Sequence, residues 1–306
     1  MSTTAPLQNA TLGAPVELDQ RKIRTLWQNA FRHIVRDRLT MAALTVLVVL
    51  TLICFLAPPV VENVLGVDVN RTKVLDKFRL PGDGYALGTD HLGRDQLIRL
   101  LYGGRISLSI AYAASLMTIV IATSIGIVAG FFGGKVDDII IWFINTLTSI
   151  PSIFLLLIAS TIWSPSPEVL IVLLALLGWM GTCRLVRGEV ITIKEREYIQ
   201  AAHAVGAPAW RIMWNHIFPN VLSIVIISLA IDAGVLILVE SGLSFLGLGV
   251  QPPTPTWGNM LTNSRSYFVT GPHLVVLPGL LITITVLCFY LIGDGFRDAL
   301  DPRSHH

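Results

Sequence analysis

Charged side chains are scarce in this chain. Asp, Glu, Lys and Arg make up 14% of 306 residues against 53% hydrophobic, a balance that excludes an ordinary soluble domain of this length. Cysteine is nearly absent: Cys54, Cys183 and Cys288 have no metal-ligand spacing and no loop context, so they read as small apolar residues and exclude a disulfide framework. His33, His91, His203, His216 and His273 are scattered and form no ligand-spaced cluster. A phosphate-binding loop is missing as well. The nearest approach, "AGFFGGKVDD" (129–138), has Ala129 in place of the first glycine and Val136 in place of the magnesium-binding hydroxyl. It reads as a tight turn, so the chain is not expected to hydrolyse ATP by that route or to be an enzyme on its own. The first 38 residues hold no apolar core ahead of a small-residue cleavage site, so no cleaved signal peptide is expected and the first span acts as a signal anchor.

Long uncharged runs are abundant. They cover 39–61, 106–134, 139–167, 212–231, 241–264 and 266–293, each at or beyond the roughly 20 residues that cross a bilayer. A shorter run, 169–183, is flanked by Glu168 and Arg184, which can snorkel. "QPPTPTWG" (251–258) cannot remain helical, so 212–264 reads as one span and a loop. The expectation is an all-α membrane protein, because an open sheet edge is not viable in lipid. Its six spans lie near 39–57, 106–130, 138–161, 168–187, 220–246 and 274–294. With the N-terminus placed in the cytoplasm, 14 of the 22 Lys and Arg residues fall inside and 8 outside; the positive-inside rule then puts both termini in the cytoplasm.

Residues 1–20 are poor in aromatics and read as a disordered tail. Over 21–38, Ile23, Leu26, Trp27, Ala30, Phe31, Ile34 and Val35 form a helical stripe opposite basic residues, which predicts an interfacial amphipathic helix on the bilayer. The segment 58–105 is extracytoplasmic in this scheme. At its end Leu97, Ile98, Leu100 and Leu101 alternate with Arg94, Asp95 and Arg99, predicting a short surface helix closed by Gly103-Gly104. Pro151 in "LTSIPSIFLL" is expected to kink the third span.

Between the fourth and fifth spans lies "YIQAAHAVGAPAWRIMWNHIFPN" (198–220). It reads as a helix stopped at Gly206 and a second short helix opened by Ala207-Pro208, where a missing N–H is harmless, and ended by Pro219-Asn220. Ile212, Met213, Ile217 and Phe218 give the second helix an apolar side; Trp210, Arg211, Trp214 and Asn215 lie opposite. Two helices and two tryptophans are more than a plain loop needs. The pattern suits a rigid knob offered to a soluble partner.

This stretch resembles the EAA loop of ABC-importer membrane subunits, in which Ala201, Ala202 and Gly206, with Pro219 after twelve further residues, occupy the motif. Gln200 replaces the usual Glu, and His216 stands where Ile is common. "GTDHLGRDQLIRLLYGGRISL" (88–108), "ESGLSFLGLGVQPPTPTWGNML" (240–261) and "GDGFRDALDPR" (293–303) resemble signatures of the C-type membrane subunit of dipeptide, oligopeptide and nickel importers. The resemblance implies a type I importer permease fold: a core over 106–294, with the EAA loop (195–219) as coupling helix, and a cytoplasmic C-terminus over 295–306. Ala201, Ala202, Gly206, Ala207, Trp210, Arg211 and Pro219 would form the coupling element. It implies a B-type permease partner, two ATP-binding subunits that hold ATP and magnesium, an extracytoplasmic substrate-binding protein and a bacterial or archaeal cytoplasmic membrane. No cofactor, metal or nucleic acid is expected on this chain. Asp90, Gly93, Arg94 and Asp95 would belong to an outward-facing scoop.

Asp232 and Glu240 are acids within an apolar run. A charge near mid-bilayer costs at least about 2.5 kcal/mol, so each should face the bundle interior or be protonated. Eight residues apart, they lie about 80° around a helix from one another. With Pro151 they are candidates to line a translocation path; the alternative pairs Glu240 with Ser244 or backbone. Two other functions stay open at this point: a nickel or metal-chelate importer of the same family, and a stand-alone proton-coupled transporter using the two acids as a relay.

Overall fold

The computed structural model describes residues 26–65, 68–163, 166–262 and 264–300. The predicted tail over 1–20, the first residues of the interfacial helix (21–25) and residues 301–306 of the C-terminal segment lie outside the described residues.

The described chain is helical and holds no named strand; its one bridge joins Thr89 to Asp95. Five helical stretches are long and apolar enough to cross a membrane: α2 (Arg38–Leu65), α3 (Gln96–Phe132), α6 (Pro167–Lys194), the run 209–245 and α11 (His273–Leu300). A sixth follows if α4 (Gly134–Thr148) and α5 (Ser152–Ile162), bent 79° from each other, count as one span. The expected single kinked span at 138–161 is therefore two helices. Helix α4 ends at Thr148, Ser149 and Ile150 turn, and Pro151 starts α5 as its N-cap, the position where a residue without an N–H donor fits.

Helices α3 and α6 run parallel in close contact. A Cβ on Gly126 would come within 2.9 Å of Val186, and one on Gly130 within 2.7 Å of Val190, so only glycine admits this approach. Arg187 on α6 pairs with Asp137 on α4 at 2.5 Å. Helix α11 returns against α9 (Phe218–Phe245), where Phe289 meets Gly234 and Ile231 meets Gly293, and α2 closes the bundle, its Thr51 hydroxyl 2.8 Å from that of Tyr112 on α3. Cys54, Cys183 and Cys288 are free and buried, in keeping with their reading as apolar fillers.

Helix α1 (Leu26–Arg36) sets Ile34 against Ala299 near the end of α11, while Phe31 and Val35 remain exposed. Asp37 interrupts the helical run and caps α2, accepting from the N–H of Thr40 at 3.0 Å and of Leu39 at 3.3 Å and from the Thr40 hydroxyl. These bonds, that from the Thr40 hydroxyl first, hold the Asp37 carboxyl below its ordinary value.

The anticipated surface helix at 97–101 is the first turn of the 37-residue α3. Gly103 and Gly104 do not close it. They are interior contact points: a Cβ on Gly104 would fall 2.4 Å from Cys54 Sγ and 2.7 Å from Trp257. Two short helices follow in what the sequence presented as loop and span end, the 3-10 turn Asn259–Leu261 and α10 (Ser264–Thr270).

Candidate functional site

The element over 195–220 begins where α6 ends at Lys194, well beyond the expected end of the fourth span. Helix α7 (Glu197–Ala204) anchors itself through Ile199, which is fully buried. Its stop follows from backbone chemistry. Gly206 sits at φ +79°, its N–H donates to the His203 carbonyl at 2.9 Å, and the Ala207 N–H reaches back to the Ala202 carbonyl at 3.1 Å. This pair of bonds is a Schellman closure, which places a glycine at the left-handed position. His203 also stacks on Phe131 of α3, ring centres 5.7 Å apart.

Pro208 caps α8 (Ala209–Ile212). A single π-helical turn, Met213–Ile217, then leads directly into α9. The predicted break at Pro219-Asn220 does not occur. Pro219 lies in the first turn of α9, where the wider preceding turn removes the clash that proline makes in a regular helix interior. Ile212 and Ile217 are fully buried in one cluster with Ile199, Val190, Ile193 and Phe131. Trp210 is 59% exposed and Val205 86%, and the Arg211 guanidinium lies 5.7 Å over the Trp210 ring; Trp214, 62% exposed, packs on Phe218 at 5.1 Å and lines an apolar cleft with Val120 and Val128 of α3. Ala201 is exposed and Ala202 and Ala207 are half-buried. Six of the seven residues singled out by sequence lie on α7, the Gly206 turn and α8, and Pro219 is exposed in the first turn of α9. Val205, ahead of the glycine, was not singled out; an apolar residue at a helix C-cap with no partner in the local pattern was the available signal.

The two acids of the fifth span look in different directions. Asp232 is half-buried and accepts from Thr182 on α6 at 2.9 Å. Glu240 is fully buried and accepts from Ser244 at 2.8 Å, Ser107 at 3.2 Å and Ser241 at 3.4 Å. Ser107 in turn accepts from the Trp257 N–H at 3.2 Å, and the Trp257 indole donates to the Leu100 carbonyl at 2.9 Å. Glu240 thus ties α9 to α3 and to the 247–258 loop, with the Ser244 pairing set out above among its bonds. Pro151 is exposed at the α4–α5 bend.

At the far end, Asp90, Gly93 and Arg94 are buried. The Asp90 carboxylate accepts from the N–H groups of Leu92 at 2.8 Å and Arg94 at 3.0 Å and from Arg94 Nε at 2.7 Å. Gly93 has φ +73°, and a Cβ there would lie 1.9 Å from the Lys73 carbonyl. Asp95 is the N-cap of α3, accepting from Leu97 and Ile98. These four residues build the start of α3; exposed apolar side chains of the segment include Val74, Leu75, which is 97% exposed, and Leu80. His91 stacks on Tyr267 of α10 at 5.4 Å. Burial holds its ring below the ordinary imidazole value; the Asp90 charge opposes this, while Arg94, Arg99 and Lys77 add to it.

Residues 122–306 match the model of the family described as binding-protein-dependent transport system inner membrane component. Residues 25–69 match the N-terminal TM domain of oligopeptide transport permease C. The chain is 35% identical over 293 residues to the oligopeptide transport system permease protein OppC of Haemophilus influenzae, covering 94% of this chain and 92% of that one. It is 34% identical to the dipeptide transport system permease protein DppC of Alkalihalophilus pseudofirmus, with 97% of each covered. The glutathione transport system permease protein GsiD of Pectobacterium atrosepticum is 35% identical, again with 97% of each covered.

Proposed function

Because the chain belongs to the binding-protein-dependent transport system inner membrane component family of ABC transporter permeases, we propose that it forms, with a B-type permease, the translocation path of an ATP-driven peptide importer. The observation that carries the coupling role is the exposure of Val205, Trp210 and Arg211 in an element that the buried Ile199, Ile212 and Ile217 fix to the bundle. Exposed aromatics and an arginine on a rigid support are the composition of a protein–protein hot spot. Two soluble ATP-binding subunits carry ATP and magnesium, one docking here and the other on the B-type permease; their closure draws the two coupling elements together and turns the path outward. A ligand shifts such an equilibrium only through differential contacts with the two states, and in this scheme those contacts are made at 195–219.

Both termini and the 195–219 element face the cytoplasm in this reading, while 58–95 and the 247–272 region face an extracytoplasmic binding protein. Asp232 lines the path and attracts the amino terminus of the peptide; Glu240 holds the outer end of the bundle together. Peptide cargo is supported by the oligopeptide and dipeptide permeases among the relatives.

The test is co-expression with candidate permease and ATPase partners, followed by purification and ATPase measurement in lipid nanodiscs. The wild-type chain is expected to retain its ATPase subunits and to give activity stimulated by the binding protein. The double variant Trp210→Ala, Trp214→Ala should lose the ATPase subunits while keeping the permease partner. A wild-type chain that is stable alone and drives proton-coupled uptake in liposomes refutes the importer reading. Membrane-impermeant maleimide labelling of Val205→Cys and Leu75→Cys in intact cells and inverted vesicles should give opposite sidedness.

A further inference from the structure

A cavity of about 310 Å³ lies between the first turn of α3, the 90–94 turn, the 247–262 loop and α10–α11. Its polar lining is unbalanced in charge. Arg94 and Arg99 both face the cavity region and both are buried, Arg99 to 5% exposure. Among the described residues the acid within ion-pair distance of either is Asp90, at 2.7 Å from Arg94 and 3.5 Å from Arg99. That carboxylate already accepts two backbone N–H groups and Arg94 Nε. Arg99 Nη1 is left buried with no acceptor, and so is Nε2 of Gln96, one turn earlier on the same helix and 2% exposed. The N-terminus of α3 adds its partial positive charge to the same spot.

A guanidinium buried without a full complement of acceptors is left with uncompensated desolvation. Orphaned donors of this kind are satisfied in native proteins by bound water or by a ligand. The donors here are a planar guanidinium and an amide, the set that matches the two oxygens of a carboxylate. The remaining walls include Val250 and Leu274, and the volume lies at the lower end of the roughly 300–1,000 Å³ range of small-molecule sites. An isolated inorganic ion needs neither that space nor apolar walls.

We propose that this cavity binds the free carboxylate of a short peptide, with Arg99 and Gln96 donating to its oxygens and Val250 and Leu274 against its terminal side chain. The choice of a peptide as the source of the carboxylate rests on the importer reading above; the anion-binding geometry does not. The site is remote from the 195–219 ridge and separate from Asp232, so it gives this chain a cargo contact of its own at the end of the bundle where the binding protein is placed.

The test uses the assembled complex in nanodiscs without binding protein, with radiolabelled Ala-Phe, its C-terminal amide and acetate as probes in equilibrium dialysis. The expected result is binding of Ala-Phe at least tenfold tighter than of the amide. Arg99→Gln should weaken Ala-Phe to the level of the amide while leaving the amide unchanged. Val250→Trp, which fills the space and keeps every charge, should abolish binding of both. Equal binding of acid and amide overturns the inference, as does acetate binding without dipeptide binding, or an Arg99→Gln variant that binds Ala-Phe like wild type. The acid–amide comparison is made on the wild type, so a poorly folding variant does not block it. Acid–amide discrimination in a complex with no binding-protein-stimulated transport sinks the importer reading and leaves the site standing; normal transport with no discrimination does the reverse.

Discussion

Gly206 offers a test of the proposed coupling element in which backbone conformation and side-chain volume rank alanine and asparagine oppositely. A Cβ at this position meets nothing within 4 Å, yet φ is +79°. Steric crowding is therefore absent, and the whole penalty comes from holding an L-residue in the left-handed region, about 1–2 kcal/mol for alanine. That corresponds to a fall of roughly 5- to 30-fold in the population of the closed turn relative to its open forms. Asparagine, larger than alanine, tolerates left-handed backbone better, and valine tolerates it worst because both branches crowd the chain. The predicted order of function is thus Gly, Asn, Ala, Val, which is not the order of size. Two measurements check it: hydrogen exchange at the Gly206 and Ala207 amides, whose bonds to His203 and Ala202 make the turn, and binding-protein-stimulated ATPase of the assembled complex. Exchange should accelerate in the stated order, and ATPase should fall in parallel while assembly with the permease partner stays intact. If alanine outperforms asparagine in both assays, the left-handed turn is not what matters at 206 and the reasoning is refuted.

Glu240→Ala should lower the thermal midpoint of the detergent-solubilised chain sharply, because it strands the hydroxyls of Ser107, Ser241 and Ser244 at about 1–3 kcal/mol for each buried group left unpaired. Glu240→Gln keeps an acceptor oxygen and should recover most of the loss; equal losses for the two would show that the hydrogen bonds are not the stabilising feature. Gly104→Ala drives a methyl into Cys54 Sγ and Trp257, with an expected destabilisation of about 1–3 kcal/mol, and Cys54→Ala in the same chain should restore part of it in the same melting assay. The Asp37 cap contributes fully above the ordinary carboxylate value near 4 and is lost as pH falls through its lowered folded value. Exchange protection at the Leu39 and Thr40 amides should therefore drop on acidification below that value, and Asp37→Ala should show the low protection at every pH.

Much of this architecture was legible because apolar runs and helix stops are local. The spans at 39–57, 168–187 and 274–294 fall inside α2, α6 and α11, and the glycine stop at 206 is a one-residue rule. What was not legible depends on partners distant in sequence. Arg94, Asp95 and Arg99 read as the polar side of a surface helix, yet Arg94 and Arg99 are buried because the 88–95 turn folds over the start of α3. Gly103-Gly104 read as a helix stop because the residues packed on them, Thr256 and Trp257, lie more than 150 positions away. Pro219 read as a terminator because proline ends regular helices; the π turn before it carries no sequence signature of its own. The serines around Glu240 were half visible: Ser244 lies one turn along the same helix, whereas Ser107 comes from another span.

The uninterrupted run from Ala209 to Phe245 has a mechanical corollary. At about 1.5 Å per residue, Trp210 and Glu240 are the two ends of a shaft about 45 Å long. A terminator at Pro219 would have made a flexible joint, and a push on the tryptophans would have dissipated there. With helix continuing through the π turn and Pro219, a tilt of the tryptophan end would be passed along the shaft to the Glu240 end. The Glu240 end is tied to Ser107 and, through it, to the Trp257 loop. In the importer proposed above, torque applied at the tryptophan end would in that way reach the Trp257 loop.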